Sequence, residues 1–403
     1  MPTGDATPRE RLRRLAGRGR PAVLEVVVPR AQLELRRQGA PAPLAPGGRE
    51  RADGDAGLDV AVIVPAFRRG SGGHATIANL VRGLEARGHR CSLWLADEEE
   101  RHATETPAQT QASFTAFFGP TAAAVHAGFA DWSGADVVVA TGWQTVAHAL
   151  LRPGARARAY LVQDHEPEFY ATSAERLWAQ ASYGHGLHAI CASPWLAGLL
   201  RDHYGASASA FDLGVDYDVY RPLPTHRRDD LVLFYARAIT PRRAVPLGLL
   251  ALEELHRRRP EVELALFGEA AELDTAFPHR HLGVLEPDAL AHAYASAAVG
   301  LVLSLTNPSL IPTEMLACGL PAVDVASESM LATFGDSGAM ELAAADPLAL
   351  CEAIERLLDD LPLRAERSRA GTELAAGRTW ARAAEQVEAG LRAALRGSSP
   401  SST

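Results

Sequence analysis

From residue 58 to about residue 395, short apolar runs alternate with longer segments in which apolar residues recur every three or four positions. The short runs have the length of buried strands, and the longer segments have the length and spacing of amphipathic helices. Regular alternation of the two is typical of βαβ units, which build a parallel sheet. The pattern therefore predicts an α/β protein.

The predicted strands fall into two series. Those of the first series are Leu58–Pro65, Cys91–Ala96, Asp136–Ala140, Ala159–Gln163 and His188–Ala192. Those of the second series are Leu231–Tyr235, Glu263–Phe267, Val299–Leu303 and Pro321–Val325. The helix after the first strand is the best marked, because Ile77, Leu80, Val81 and Leu84 share one face. We expect two doubly wound domains in tandem.

The chain length agrees with this division, since 403 residues exceed what one hydrophobic core usually serves. Pro222–Asp230 is a predicted hinge, and Gln38–Gly57 has the composition of a linker. Before the linker, Arg9–Leu15 suggests a short basic helix and Ala22–Val28 a strand-like run. The predicted divisions are an N-terminal extension, partly flexible, at residues 1–56, a first Rossmann-like domain at 57–221, a second at 222–378, and a last helix with a flexible tail at 379–403.

Composition narrows the range of partners. The net charge of −9 gives no general attraction to nucleic acid, and no apolar run reaches the length of a membrane span. We expect a cytoplasmic protein. Residues 1–56 carry 11 arginines and seven acidic residues, so this extension is either loosely held or in peripheral contact with the inner face of the membrane. The chain has no lysine, so an anion site must use arginine or backbone amides.

The first strand is followed by a glycine-rich loop, Gly70-Ser71-Gly72-Gly73-His74, which leads into the first helix. Glycine permits close approach of the backbone to a ligand, and a helix N-terminus favours phosphate. The same residues also satisfy a dinucleotide fingerprint, with Asp97 at the distance of a ribose-binding acid. An NAD-binding enzyme therefore stays open as an alternative.

A second constellation follows the apolar run Leu301–Leu305. Pro312 suits the first turn of a helix, and Gly319 suits its end. Glu314 is predicted to lie in the first turn, facing the crevice at the carboxyl edge of the sheet. A carboxylate there can accept hydrogen bonds from the two hydroxyls of a ribose.

The segment from Thr306 to Pro321 resembles the donor-binding signature of family 4 glycosyltransferases, Glu-Pro-Phe-Gly-x-x-x-x-Glu followed by Ala-Met-Ala-Cys-Gly-x-Pro-Val. Glu314 matches the second glutamate, and Thr306 stands where the family has the first. Asn307-Pro308-Ser309, together with Pro312, is similar to bacterial rhamnosyltransferases of the S-layer and polysaccharide type. The resemblance covers roughly residues 58–395.

This resemblance implies a GT-B fold, in which two Rossmann-like domains face each other across a cleft and a C-terminal helix crosses back to the N-terminal domain. It also implies a retaining hexosyltransferase whose donor is a nucleotide-diphosphate sugar, dTDP- or UDP-linked, carrying rhamnose or another deoxyhexose. The acceptor would be a glycan, a lipid-linked glycan or a small molecule. No Asp-x-Asp pair follows a predicted strand, so we expect no metal and no other cofactor. A nucleotide-sugar epimerase of the same fold is the alternative.

The resemblance also assigns the site. Two cations are expected to clamp the donor diphosphate: Arg237, and Arg242 or Arg243. Asp164 and His165 are the candidates for contact with the donor sugar, and with Arg237 and Arg242 they form the expected catalytic group. The expected acceptor-binding residues are His74, Glu166 and Glu168. The remaining donor-binding residues are expected to be Gly72, Gly73, Gly268, Val284, Leu285, Thr306, Ser309, Leu310, Ile311 and Glu314.

Overall fold

The computed structural model describes residues 28–45 and 57–398. The helix predicted at Arg9–Leu15 lies outside these residues, as does nearly all of the run Ala22–Val28. The described chain forms two parallel sheets, each with helices on both faces.

The first sheet has seven strands in the order β3-β2-β1-β4-β5-β6-β7. Its strands are β1 (Asp59–Pro65), β2 (Arg90–Ala96), β3 (Ala124–Ala127), β4 (Ala135–Ala140), β5 (Ala155–Val162), β6 (His188–Cys191) and β7 (Ala208–Ala210). The helices of this half are α1 (Arg30–Gln38), α2 (Gly72–Ala86), α3 (Pro107–Phe118), α4 (Trp143–Leu151), α5 (Ala174–Ser182) and α6 (Pro194–Tyr204), with short 3-10 helices at Glu166–Phe169 and Tyr183–His185.

The second sheet has six strands in the order β10-β9-β8-β11-β12-β13. Its strands are β8 (Leu231–Tyr235), β9 (Glu263–Phe267), β10 (Arg280–Gly283), β11 (Val299–Leu301), β12 (Ala322–Val325) and β13 (Met340–Ala343). The helices are α7 (Val245–Arg258), α8 (Pro287–Ser296), α9 (Leu310–Ala317), α10 (Glu328–Phe334), α11 (Pro347–Asp359) and α12 (Leu361–Ala376), with 3-10 helices at Pro241–Arg243 and Gly335–Ser337.

The strand order reverses direction once in each sheet, between β1 and β4 and between β8 and β11. Ligands of open α/β sheets bind beyond the carboxyl ends of the strands at such a switch point. The fold therefore places a crevice beside the ends of β8 and β11, which precede Arg237 and Thr306.

Every strand predicted from the apolar runs is present, and four more were missed. The missed strands are β3, β7, β10 and β13, which lie at the outer edges of the two sheets. Their residues are largely half-buried or exposed, so they carry no continuous apolar signal.

The last helix, α13 (Trp380–Gly397), leaves the second domain and packs on the first. Its residues Val387 and Leu391 are buried in the first domain's core beside Ile77 and Leu80 of α2, and Ala384 is buried against Gly83 of the same helix. The predicted crossing helix is therefore confirmed. None of the helices formed by residues 28–45 and 57–398 is long and apolar enough to cross a bilayer.

The predicted linker Gln38–Gly57 needs a correction in its described part. The backbone N–H of Ala42 donates to the Leu150 carbonyl at 2.8 Å, and Arg158 Nη2 donates to the Ala42 carbonyl at 2.7 Å. Backbone hydrogen bonds thus hold this stretch against the first domain, although it has few large apolar side chains to indicate packing.

Candidate functional site

The two domains meet at Asp164, just beyond the end of β5. Oδ1 of Asp164 accepts hydrogen bonds from the backbone N–H of Asn307 at 2.9 Å and of His165 at 2.8 Å. Oδ2 accepts from Arg242 Nε at 3.0 Å and from the Thr306 hydroxyl at 3.1 Å. Both oxygens are engaged by protein donors, three of which come from the second domain. This occupancy counts against the prediction that Asp164 hydrogen-bonds to the donor sugar.

Arg242 lies in the 3-10 helix after β8 and reaches across to the first domain. Its guanidinium carbon lies 4.0 Å from the centre of the Phe169 ring, which adds a cation–π contact to the bond with Asp164. Burial lowers the pKa of Arg242, although the charge of Asp164 opposes this shift. Within the described chain the two Nη atoms have no hydrogen-bond partner, so they are available to a ligand.

Arg237 follows the end of β8 at the switch point of the second sheet. Its side chain is half-buried, and no described residue pairs with its guanidinium. Arg237 and Arg242 both lie in the segment that follows β8, and β11 with the loop to Thr306 lies on the other side of the switch point. The sequence-based pairing of these two cations is compatible with this placement.

Arg243 lies elsewhere, and the prediction that it contacts the donor needs correction. The residue is 5% exposed, and its Nη1 donates to the Ser304 hydroxyl at 3.2 Å. Burial raises the pKa of the Asp324 carboxyl to about 7, and the nearby positive charge of Arg243 opposes this rise. Arg243 therefore belongs to the interior of the second domain.

Glu314 lies on α9, one turn later than predicted, because the helix begins at Leu310. The residue is 9% exposed, and its carboxylate accepts no hydrogen bond from the described residues. Burial, with a smaller contribution from the charge of Asp216, raises the pKa of Glu314 to about 8. An unpartnered, nearly buried carboxylate of this kind is costly unless a ligand supplies donors.

Position 268, directly after the end of β9, accommodates only glycine. Its φ is +96°, and a Cβ at this position would lie 2.5 Å from the ring of Tyr235. The other predicted donor residues differ in exposure. Val284 is exposed, Leu285, Leu310 and Ile311 are half-buried, and Ser309 precedes α9 with a buried hydroxyl that has no partner among the described residues.

The glycine loop lies beside the same centre. Gly72 and Gly73 are the first residues of α2, and the Gly73 carbonyl accepts a hydrogen bond from Gln163 Nε2 at 3.2 Å. Gln163 directly precedes Asp164. The structure thus brings together Gly73, Asp164, Arg242 and Thr306, which are far apart in the sequence.

His74 was predicted to bind an acceptor, but both of its ring nitrogens have partners within the protein. Its Nδ1 lies 2.8 Å from the Ser71 hydroxyl and its Nε2 lies 3.2 Å from the Pro65 carbonyl oxygen. Burial lowers the pKa of His74 to about 4, so the ring is neutral at physiological pH. The residue fastens the start of α2 to the end of β1.

Glu166 also belongs to the interior rather than to an acceptor site. Its carboxylate accepts hydrogen bonds from the Tyr160 hydroxyl at 2.7 Å and from the Trp143 backbone N–H at 2.7 Å. Burial raises the pKa of Glu166 to about 7. The side chain therefore caps the first turn of α4 and is not open to solvent.

His165 and Glu168 lie on the surface side of the same segment. His165 Nε2 lies 2.9 Å from the Tyr204 hydroxyl, and burial lowers its pKa. Glu168 is exposed and pairs with Arg176 at 2.8 Å. Of the predicted acceptor residues, Glu168 alone presents its side chain to solvent.

Parts of this chain are similar in sequence to known proteins. Residues 230–355 match the family model for the C-terminal domain of WsaF. The O-antigen biosynthesis protein RfbC of Myxococcus xanthus is 33% identical over 269 residues, which are 64% of this chain and 20% of that protein. The chain thus spans about a fifth of that relative's length.

Solved structures show the same architecture over most of the chain. Sucrose-phosphate synthase from Thermosynechococcus elongatus superposes with a TM-score of 0.62 at 16% identity, covering 84% of this chain and 99% of that one. HepE from Anabaena, in complex with UDP and glucose, gives a TM-score of 0.62 at 13% identity, covering 83% and 100%. The chain has the GT-B fold.

Within this GT-B fold, Asp97 does not offer a free ribose-binding carboxylate. Its oxygens accept hydrogen bonds from the backbone N–H groups of Arg101 at 2.9 Å and His102 at 2.7 Å. The connection from β1 to α2 is also long, since residues 66–71 separate them. Both features count against a dinucleotide site.

Three residues of the GT-B domain contact were missed by sequence reasoning. Asn307 is fully buried between the domains, Phe169 stacks on Arg242, and the Gln163 carbonyl accepts a hydrogen bond from Asn307 Nδ2. Asn307 and Gln163 flank predicted site residues, but nothing in their spacing indicates a partner in the other domain.

Proposed function

We propose that the chain is a retaining, metal-independent glycosyltransferase that moves a hexosyl group from a nucleotide-diphosphate sugar to a hydroxyl group. One observation carries the proposal: Arg237, Arg242 and the unpartnered Glu314 lie on the segments that follow β8 and β11 at the switch point of the second sheet. Two cations beside a ribose-binding carboxylate suit a nucleoside diphosphate.

The proposed chemistry depends on the leaving group. As the bond to the anomeric carbon breaks, negative charge grows on the diphosphate, and the guanidinium groups of Arg237 and Arg242 stabilise it. The first amides of α9 and of α2, at Gly72 and Gly73, add to the positive field. The departing phosphate oxygen accepts the proton of the acceptor hydroxyl, so the chain needs no separate general base.

Similar proteins support particular classes of donor and acceptor. The resemblance of Asn307-Pro308-Ser309 to rhamnosyltransferases favours a dTDP-linked deoxyhexose, while the binding of UDP by HepE favours a UDP-sugar. RfbC, by its name, serves O-antigen biosynthesis, and this supports a growing glycan or lipid-linked glycan as acceptor.

The first test is thermal-shift screening of the full chain with dTDP, UDP, GDP and NAD. We expect a nucleoside diphosphate to raise the Tm and NAD to leave it unchanged; stabilisation by NAD alone would contradict the proposal. The second test is turnover of the matching nucleotide sugar. A transferase hydrolyses its donor slowly and consumes the donor faster when an acceptor is present. An epimerase interconverts nucleotide sugars without an acceptor.

A further inference from the structure

Each domain inserts one polar side chain into the other. Asp164 of the first domain receives three hydrogen bonds from Arg242, Thr306 and Asn307 of the second. In return, Asn307 Nδ2 donates to the carbonyl oxygens of Gln163 at 3.1 Å and Ala192 at 3.0 Å.

The side chain of Asn307 has no unused hydrogen-bonding group. Both Nδ2 hydrogens are donated to first-domain carbonyls, and Oδ1 accepts from the Ser193 hydroxyl at 2.6 Å. A fully buried amide that is fully satisfied specifies one geometry, because any displacement leaves buried polar groups without partners. The exchange of Asp164 and Asn307 therefore favours this one arrangement of the domains.

We propose that Asp164 is a positioning residue that holds the domains closed and sets the orientation of Arg242 toward the donor diphosphate. This inference rests on the proposed function of the crevice. It gives Asp164 a role different from contact with the sugar, since both of its oxygens are already used.

The orientation of Arg242 depends on the first domain. Its Nε donates to Asp164, and the face of its guanidinium stacks on Phe169; both residues belong to the segment after β5. A guanidinium has five N–H donors in a rigid plane. With one donor engaged and one face covered, the four remaining N–H groups lie in a defined plane, which suits bidentate binding of phosphate oxygens.

Closure and assembly of the diphosphate site are then one event. When the domains separate, Arg242 loses both the carboxylate and the aromatic ring that orient it. An open form keeps Arg237 and Glu314, which lie wholly on the second domain, but presents Arg242 without a fixed direction.

A double-mutant cycle tests this coupling. Binding of UDP and of dTDP is measured by calorimetry for the wild type, Asp164→Asn, Arg242→Gln and the double variant. If Asp164 acts through Arg242, each single change weakens binding about tenfold, and the double variant binds no more weakly than Arg242→Gln, because coupled residues are not additive. A double variant weakened about a hundredfold would overturn the inference.

Two further variants guard against misfolding. Phe169→Leu removes the stacking without creating a buried charge, and we expect its effect on binding also to vanish in the Arg242→Gln background. Asp59→Asn breaks a more exposed aspartate–arginine pair, with Arg90, at the amino ends of β1 and β2, and serves as the control with unchanged affinity.

Small-angle scattering of the ligand-free chain gives a readout that needs no nucleotide. We expect Asp164→Asn and Asn307→Ala to increase the radius of gyration relative to the wild type and Asp59→Asn. Unchanged dimensions would overturn the closing role. If the variants expand while the wild type binds no nucleoside diphosphate, the proposed function fails and the closing role stands.

Discussion

Gly83 on α2 and Ala384 on α13 touch so closely that a Cβ at position 83 would lie 2.5 Å from the Cβ of Ala384. This contact fastens the crossing helix to the first domain. It explains a glycine in the middle of a helix, where alanine would otherwise be preferred by about 1 kcal/mol.

Gly83→Ala should therefore destabilise the protein, by about 1–3 kcal/mol, since overpacking costs more than the propensity gain. Gly198→Ala, in α6 with open space around it, is the matched control and should be neutral or stabilising. Urea unfolding of both variants provides the comparison. Equal stabilities would mean that α13 does not pack as described.

Arg237→Ala should lower sugar transfer by about 10²-fold or more while leaving the Tm nearly unchanged, because its guanidinium has no partner within the described chain. The readout is kcat/KM for the donor, together with thermal unfolding. Arg257→Ala removes an exposed arginine paired with Glu254 on α7 and is the control. A full rate for Arg237→Ala would refute its assignment to the diphosphate.

Removal of divalent ions by a chelator should leave the rate of sugar transfer unchanged. The proposed mechanism neutralises the diphosphate with arginine side chains and not with a divalent ion. The assay compares initial rates before and after exhaustive EDTA treatment. Loss of activity that Mg²⁺ or Mn²⁺ restores would contradict the metal-independent mechanism.

The strands of the sheet interiors and the helix that follows β11 could be predicted because each depends on a local pattern, whereas the crossing of the last helix was implied only by the resemblance to family 4 glycosyltransferases. Leu231–Tyr235 is a continuous apolar run, and Pro312 lies in the first turn of a helix that Gly319 follows. Edge strands such as Ala208–Ala210 escaped prediction because half-buried positions tolerate polar residues and leave no period in the sequence.

The direction of each polar side chain could not be predicted in the same way. Arg242 and Arg243 are neighbours, yet one faces the other domain and the other is 5% exposed beside Ser304. Glu166 and Glu168 divide likewise between interior and solvent. The turn of a short 3-10 helix and the tertiary partners decide which residue of such a pair is buried. Neither can be deduced from the spacing of residues in the sequence.

Glu166→Gln should weaken the fold rather than the recognition of an acceptor. The new amide has one acceptor oxygen where the carboxylate has two, so either the Trp143 N–H or the Tyr160 hydroxyl proton loses its acceptor, and an unsatisfied buried group costs about 1–3 kcal/mol. Chemical denaturation should show the loss, and the acceptor KM should stay within about twofold of wild type. Glu168→Gln, at the exposed position, gives the contrasting test; a larger effect of Glu166→Gln on acceptor KM than on stability would restore its predicted role.

Glu314→Gln should make the protein more stable at alkaline pH and a poorer binder of nucleotide. Burial raises the pKa of Glu314 from 4.5 to about 8 in the folded state, so the folded chain holds this proton more tightly than the unfolded chain. The contribution of Glu314 to stability is therefore lost as pH rises from about 4.5 to about 8, at up to roughly 1.4 kcal/mol per pH unit. Glutamine cannot ionise and escapes this loss.

The free energy of unfolding, measured from pH 4 to 9, should therefore show a difference between Glu314→Gln and wild type that is small at pH 4, grows through this window and levels off above it. Subtraction removes the similar contributions of Glu166 and Asp324, whose pKa values burial raises to about 7. The same measurement on Glu253→Gln, exposed on α7, is the control. At pH 8.5 the variant should also bind UDP or dTDP about tenfold more weakly, since hydrogen bonds to a carboxylate are stronger than those to an amide. If the variant were less stable than wild type at that pH, the carboxylate would have a favourable partner within the protein. The proposal that Glu314 binds a ribose would then be contradicted.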